Sequence, residues 1–163
     1  MDKNVNYKEL ESLLNLYLAD KKLHRTEERF VILNRVCSFS SFFDVNMLQE
    51  SFKNINFTVS LATLYNTINL FVDAGVLVAH HFSTASTHYE LKLLAEKHAY
   101  LICNECKNIR ILREAAIKKL IRNAKVNRFT PDYYAIYIYG LCNKCKAKLQ
   151  RKKNNNNKEK ITK

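Results

Sequence analysis

Five cysteines occur in 163 residues, and four of them form two Cys-x-x-Cys pairs, Cys103/Cys106 and Cys142/Cys145, with 35 residues between the pairs. Zn²⁺ takes four ligands tetrahedrally, and one Cys-x-x-Cys turn brings two sulfurs to an ion, so two such turns complete its sphere. A closed sphere leaves no position for substrate. The expected zinc, one per chain, is therefore a structural clamp rather than a catalytic centre. Two disulfides would need an oxidising compartment, and the opening MDKNVNYKEL lacks the charged, apolar, small-residue order of an export signal. The reading is a cytoplasmic chain with reduced thiols. A redox Cys-x-x-Cys normally stands alone at a helix start, whereas these two pairs match each other. Cys37, the fifth, falls on the apolar side of a helix and reads as a small hydrophobe.

With 47% hydrophobic residues the chain can build a core, as one large domain or two small ones. The uncharged run from Asn54 to Val72 is interrupted by Asn56, Thr58, Ser60, Thr63, Asn66, Thr67 and Asn69, too polar to span lipid, so no membrane association is expected. The net charge of +12 points to a polyanionic partner, and its distribution is uneven. Residues 1–91 carry 8 basic and 10 acidic side chains, whereas residues 92–163 carry 19 and 5. From Lys144 to Lys163 nine basic residues face only Glu159 and the run Asn154–Asn157. The stretch 151–163 reads as a disordered basic tail, either adding nonspecific attraction to phosphate or serving solubility.

The elements that must position these groups follow from periodicity. Leu10, Leu13, Leu14, Tyr17 and Leu18 mark a first amphipathic helix. Thr26 has the character of an N-cap for a second, with Glu27 and Glu28 in its first turn and Phe30, Leu33, Val36 and Cys37 on its apolar side. Asp44 caps a third helix carrying Val45, Leu48 and Phe52. Ser60 caps a fourth, on which Leu61, Leu64, Ile68, Phe71 and Val72 form the buried stripe while Thr63, Asn66 and Thr67 face outward. Gly75 stops this helix, and Val76–Phe82 and Thr87–Leu91, around a turn at Ser83–Ser86, read as a β-hairpin. Short helices closed by a hairpin make a winged helix-turn-helix, whose helix before the wing enters the DNA major groove. The uncharged polar face of that helix would read base edges through Asn amides and Thr hydroxyls.

Beyond a hinge at Lys92–Lys97, strands are expected at Ala99–Cys103, Asn108–Leu112 and Tyr133–Tyr139, with a helix on Ile117, Leu120, Ile121 and Ala124. This is a small α/β unit stapled by zinc. Four of the nine tyrosines fall in Tyr133–Tyr139, giving that strand an amphipathic face suited to a subunit interface.

The segments RFVIL (29–33), ATLY (62–65), DAG (73–75), YEL (89–91), HAYLICNEC (98–106) and YGLCNKC (139–145) occur in the order and spacing of the ferric uptake regulator family, which the chain resembles from Leu23 to Leu149. The resemblance implies an α+β fold: a winged-helix DNA-binding domain at 1–91, a hinge at 92–97, a zinc-stapled α/β dimerisation domain at 98–150 and the tail at 151–163. It also implies a metal- or redox-responsive transcription regulator, a repressor, that binds AT-rich palindromes in double-stranded DNA as a homodimer. Tyr65 falls on the family's recognition-helix tyrosine, which packs on thymine methyls. Asn66 stands where many members place a guanine-reading arginine, and pairs with adenine instead. Ser60 and Thr63 complete the candidate DNA contacts on this helix. His24 or Arg25 matches a basic side chain set into the minor groove.

The resemblance also implies a regulatory divalent metal, Fe²⁺, Mn²⁺ or Zn²⁺, and here the sequence departs from the family pattern. The loop ligand position is Phe42, the final-strand position Tyr134, the position after the first cysteine pair Ile111, and the partner of His98 is Tyr100. Glu90 and His98 are retained. His88, two residues from Glu90 on one strand face, is the added nitrogen of the candidate set Glu90, His98 and His88, while the adjacent His80 and His81 point oppositely and cannot both serve one ion.

Against an enzyme stand the absence of a His-x-Glu partner to the cysteine pairs, of a Gly-rich phosphate loop in a chain with two glycines, and of an evident triad. A zinc-ribbon RNA-binding module is kept open by the basic half and weighed against by the upstream helix-turn-helix. A regulator that senses oxidants through its thiols, or one that has lost metal sensing, are the remaining alternatives.

Overall fold

In the computed structural model, residues 6–53, 55, 57–82, 86–112, 119 and 128–161 are described, the last without the side chains of 153 and 155–161. Asn6 opens helix α1 (Tyr7–Asp20), its side chain accepting from the Lys8 amide, and Leu10, Leu14 and Leu18 bury one face at four-residue spacing. Helix α2 (Glu27–Cys37) buries Ile32, Leu33 and Val36. Thr26 occupies its N-cap in an extended conformation but makes no side-chain capping bond. Asp44 does cap helix α3 (Val45–Ser51), Oδ1 accepting from the Met47 amide at 2.8 Å.

Helix α4 (Leu61–Asp73) starts at Ser60, whose Oγ accepts from the Thr63 amide at 3.0 Å. It ends in paired bonds, Gly75 N–H to Val72 C=O at 3.0 Å and Val76 N–H to Phe71 C=O at 2.9 Å. This Schellman closure needs a left-handed residue, which Gly75 supplies at φ 71. The expected stripe on α4 is corrected at two places. Thr67 is buried with Leu64, Ile68 and Phe71, whereas Leu61 is exposed, because the apolar arc of the helix runs from 64 through 67 and 68 to 71 and leaves the first residue outside it.

Strands β1 (Leu77–His80) and β2 (His88–Leu91) pair antiparallel with His80 opposite His88. An isolated bridge joins Phe43 to Tyr89, each N–H donating to the other's carbonyl at 2.8 and 2.7 Å. The turn residues 83–85 lie outside the described residues. Lys92–Ala95, expected as a hinge, is instead a short helix, α5, with Leu94 and Ala95 buried. The reason is apolar content: Leu94 joins the core of α1–α4 and the wing, so this unit extends through Lys97 and also takes in Pro131–Tyr133. Lys92 ion-pairs with Asp132 and lies over the Tyr133 ring.

The second unit comprises His98–Thr130 and Tyr134–Lys163. Its sheet has the order β4–β3–β5, with β3 (Ala99–Cys103) antiparallel to β4 (Ile109–Leu112) and parallel to β5 (Ile136–Gly140). β5 begins three residues later than the expected Tyr133, because Tyr133 packs with the first unit. The helix expected around 117–124 lies outside the described residues, apart from Lys119, which is helical. Helix α6 (Asn143–Ile161) continues through what reads as a disordered tail at 151–163, of which 162–163 lie outside the described residues. No Pro or Gly interrupts this segment, and the Lys, Arg and Glu on either side of Asn154–Asn157 favour helix, whereas asparagine itself is a weak helix former. Among the described residues no helix is long and apolar enough to cross a membrane.

Candidate nucleic-acid interface and metal centre

Burying Leu64, Thr67, Ile68 and Phe71 leaves the opposite side of α4 outward, and Ala62, Tyr65, Asn66 and Asn69 are exposed there within one arc of the helix. Tyr65, 48% exposed, is a large aromatic ring that packing against the core does not account for. Ser60 and Thr63 lie at the start of the same helix, but their hydroxyls are bonded to each other at 2.9 Å and serve the cap. In the connection between α1 and α2, Arg25 is committed to its own domain. Its Nε donates to Asn15 Oδ1 at 3.1 Å, its Nη2 to Glu11 Oε1 at 3.2 Å, and its guanidinium lies 4.3 Å from the Phe30 ring centroid. His24, beside it, is exposed, and its carbonyl accepts from Arg29.

The metal centre is built at one end of the second sheet. β3 delivers Cys103 into a turn closed by Lys107 N–H to Cys103 C=O at 3.0 Å and Cys103 N–H to Asn108 C=O at 3.0 Å, with Lys107 left-handed at φ 58. The neighbouring strand β5 ends at Gly140, whose carbonyl accepts from Asn104 N–H at 2.8 Å, and the chain turns through Cys142 into α6, placing Cys145 in its first turn. The parallel β3–β5 pairing, with Cys103 opposite Gly140, thus sets the two turns side by side.

The four sulfurs lie within 4.8 Å of one another, and Cys106 Sγ is 3.8 Å from Cys142 Sγ. A tetrahedron of thiolates about 2.3 Å from zinc has edges of about 3.8 Å, so this donor set fits the ion. Among the described residues it is the one group of three or more metal-ligating side chains close enough to share a metal. All five cysteines are free.

The Cys142 amide, which donates to Cys103 Sγ at 3.4 Å, is the largest cause lowering the Cys103 thiol from 9.0 to about 6. The Cys145 thiol is pushed up to about 12, first by its hydrogen bond with Cys142 and then by that with Cys106. Each proton retained in the cluster is therefore shared between sulfurs, an arrangement that a divalent cation would relieve by displacing it.

The candidate regulatory residues fall in different settings. Glu90 is fully buried, its Oε2 3.4 Å from Nε2 of the equally buried His80. His88 is half-buried, its Nδ1 bonded to the Ser86 carbonyl at 3.1 Å. Phe42 packs edge-on to both the His88 and Phe82 rings, and His80 stacks on Phe82. His98 belongs to the second unit, where its ring meets Tyr100 edge-on at 6.4 Å, and Tyr100 stacks on Tyr137.

His80 is the residue that sequence reasoning missed. A turn at 83–86 would set His81 opposite His88. The observed register sets His80 there instead, and a one-residue slip exchanges the faces, putting His80 beside Glu90 and His81 outside. Only the register could have revealed it.

The ferric uptake regulator family model matches residues 20–139. The ferric uptake regulation protein of Neisseria meningitidis is 32% identical over 94 residues, an alignment that spans 57% of this chain and 65% of that protein's length. Among solved structures, the Vibrio cholerae ferric uptake regulator, with a described rearrangement of its DNA-binding domains, superposes with a TM-score of 0.56 at 25% identity over 78% of this chain and 98% of its own. The Helicobacter pylori ferric uptake regulator, described with three functional metal-binding sites, reaches 0.66 over 90% and 97%, a likeness of fold alone at 13% identity. With a family model matching most of its length and an α+β fold shared with solved members, this chain belongs to the ferric uptake regulator family.

Proposed function

We propose that the chain is a sequence-specific transcription regulator, a repressor, that binds AT-rich palindromic double-stranded DNA as a homodimer. The observation that carries this reading is the outward face of α4, where Tyr65 and Asn66 stand exposed on a helix fixed from behind by Leu64, Ile68 and Phe71 and followed by a β-hairpin. Tyr65 supplies apolar contact to thymine methyls, and Asn66 a bidentate amide for adenine. Ser60, Thr63, His24 and Arg25 are the flanking contacts, the last able to reach phosphate only by giving up its bonds to Asn15 and Glu11. Cys103, Cys106, Cys142 and Cys145 hold one structural Zn²⁺. The test is selection of bound sequences from a random duplex pool. Tyr65→Ala and Asn66→Ala should each lower discrimination by about 1–3 kcal/mol. A pool that yields no preferred sequence would overturn the assignment.

In this reading a second divalent metal, Fe²⁺, Mn²⁺ or Zn²⁺, is sensed through Glu90, His98 and His88. A second reading, a regulator without metal response, is favoured by the buried His80–Glu90 pair, because the carboxylate already has a partner and the Phe42 and Phe82 rings crowd the same face. Titrating each metal into zinc-loaded protein with DNA affinity as readout separates the two. A His98→Ala-sensitive gain supports sensing, and unchanged affinity with every metal supports its loss.

A further inference from the structure

Helix α6 begins within the second cysteine pair and lies wholly beyond residue 139, where the family match ends. Its first three turns carry the exposed cations Lys144, Lys146, Lys148, Arg151 and Lys152, of which Lys146 stands on the opposite side of the helix from the other four. At 100° per residue these four fall within an arc of about 100°, one face of the helix. Among the described residues none of the four is ion-paired, and the one acidic residue in α6 is Glu159, beyond them. On the adjoining flank Cys145 and Leu149 are half-buried. Lys148 and Lys152 border the same recess as Glu105, Cys106, Cys145 and Leu149.

Coil would leave these charges at variable spacing, but helix sets it. Lys144 to Lys152 spans about 12 Å at 1.5 Å per residue, a length over which four long cationic side chains reach several phosphates of the duplex. No apolar side chain interleaves with the four, which argues against the amphipathic face that a membrane surface requires.

We propose that this face of α6 docks on the sugar–phosphate backbone of double-stranded DNA, a sequence-independent contact separate from the base-reading face of α4. It rests on the DNA-binding reading for the identity of the polyanion, not for the site. The test is full-length, zinc-loaded protein with Lys144, Lys148, Arg151 and Lys152 all replaced by Gln. It is compared with wild type, and with a variant carrying Arg at the three lysines, by fluorescence anisotropy on a non-palindromic duplex of about 30 bp from roughly 50 to 300 mM salt. The Gln variant should show a salt dependence shallower by about 2–4 in the slope of log K on log [salt], at about 0.9 per phosphate contact, while the Arg variant keeps the wild-type slope. Unchanged zinc content and helical circular dichroism exclude misfolding, and the pair Lys148→Gln and Arg151→Gln should give about half the effect. A slope unchanged in the Gln variant overturns the proposal, as does a loss confined to binding of phosphatidylglycerol vesicles. If the random pool yields no preferred sequence yet the slope still flattens, the base-reading assignment fails and this one stands.

Discussion

Removing the metal should unfold the second unit and spare the first. Among the described residues the side chains buried in that unit are His98, Tyr100 and Ile102, alongside Ala99 and Cys103, and much of β5 is exposed, with Tyr137, Ile138 and Tyr139 between 37% and 49% accessible. Burial of a large apolar side chain contributes about 1.5–3 kcal/mol. A unit of 63 residues is ordinarily stable by about 3–9 kcal/mol. A structural zinc contributes on the order of 10–16 kcal/mol at neutral pH, more than that whole margin.

Chelation, or Cys142→Ser, should therefore abolish hydrogen-exchange protection at Leu101 and Ile138 while the α4 amides of Leu64 and Ile68, in a separate and larger core, stay protected. Because zinc is held by thiolates, reloading the metal-free protein at pH 7 should release protons, measurable in weakly buffered solution. Full protection of β3 and β5 in verified metal-free protein would refute the reasoning.

Ser60→Ala removes the acceptor for the Thr63 amide and should cost about 1 kcal/mol in urea unfolding, weakening DNA binding only as far as the helix start frays. His80→Ala removes the buried ring 3.4 Å from the Glu90 carboxylate and should destabilise the first unit by about 2–5 kcal/mol through the cavity and the lost polar contact, part of it recovered by adding Glu90→Gln; denaturant midpoints decide this. Burial raises the Cys37 thiol from 9.0 to about 11, so the unfolded state deprotonates first as pH rises. Its contribution to stability is intact below pH 9 and is lost between about 9 and 11, and it should resist alkylation at pH 8 until the protein is denatured. Cys37→Ala should remove that part of the alkaline decline.

What was legible in the sequence is what local chemistry decides. The Cys-x-x-Cys spacing, the Asp44 and Ser60 caps and the Gly75 stop each depend on residues within one turn of each other, and each occupies the expected place. Two thiol pairs 35 residues apart still needed the parallel β3–β5 register to bring Cys103 beside Cys142, which no local rule supplies. Tertiary structure also decided that Thr67 turns inward, that Leu94 makes a helix of the expected hinge, and that Arg25 is held by Glu11 and Asn15. The hairpin is the sharpest case. Strands repeat every two residues, so composition fixed that one of two adjacent histidines would face Glu90, and only the pairing register, closed by the Phe43–Tyr89 bridge and the core behind it, decided that it is His80.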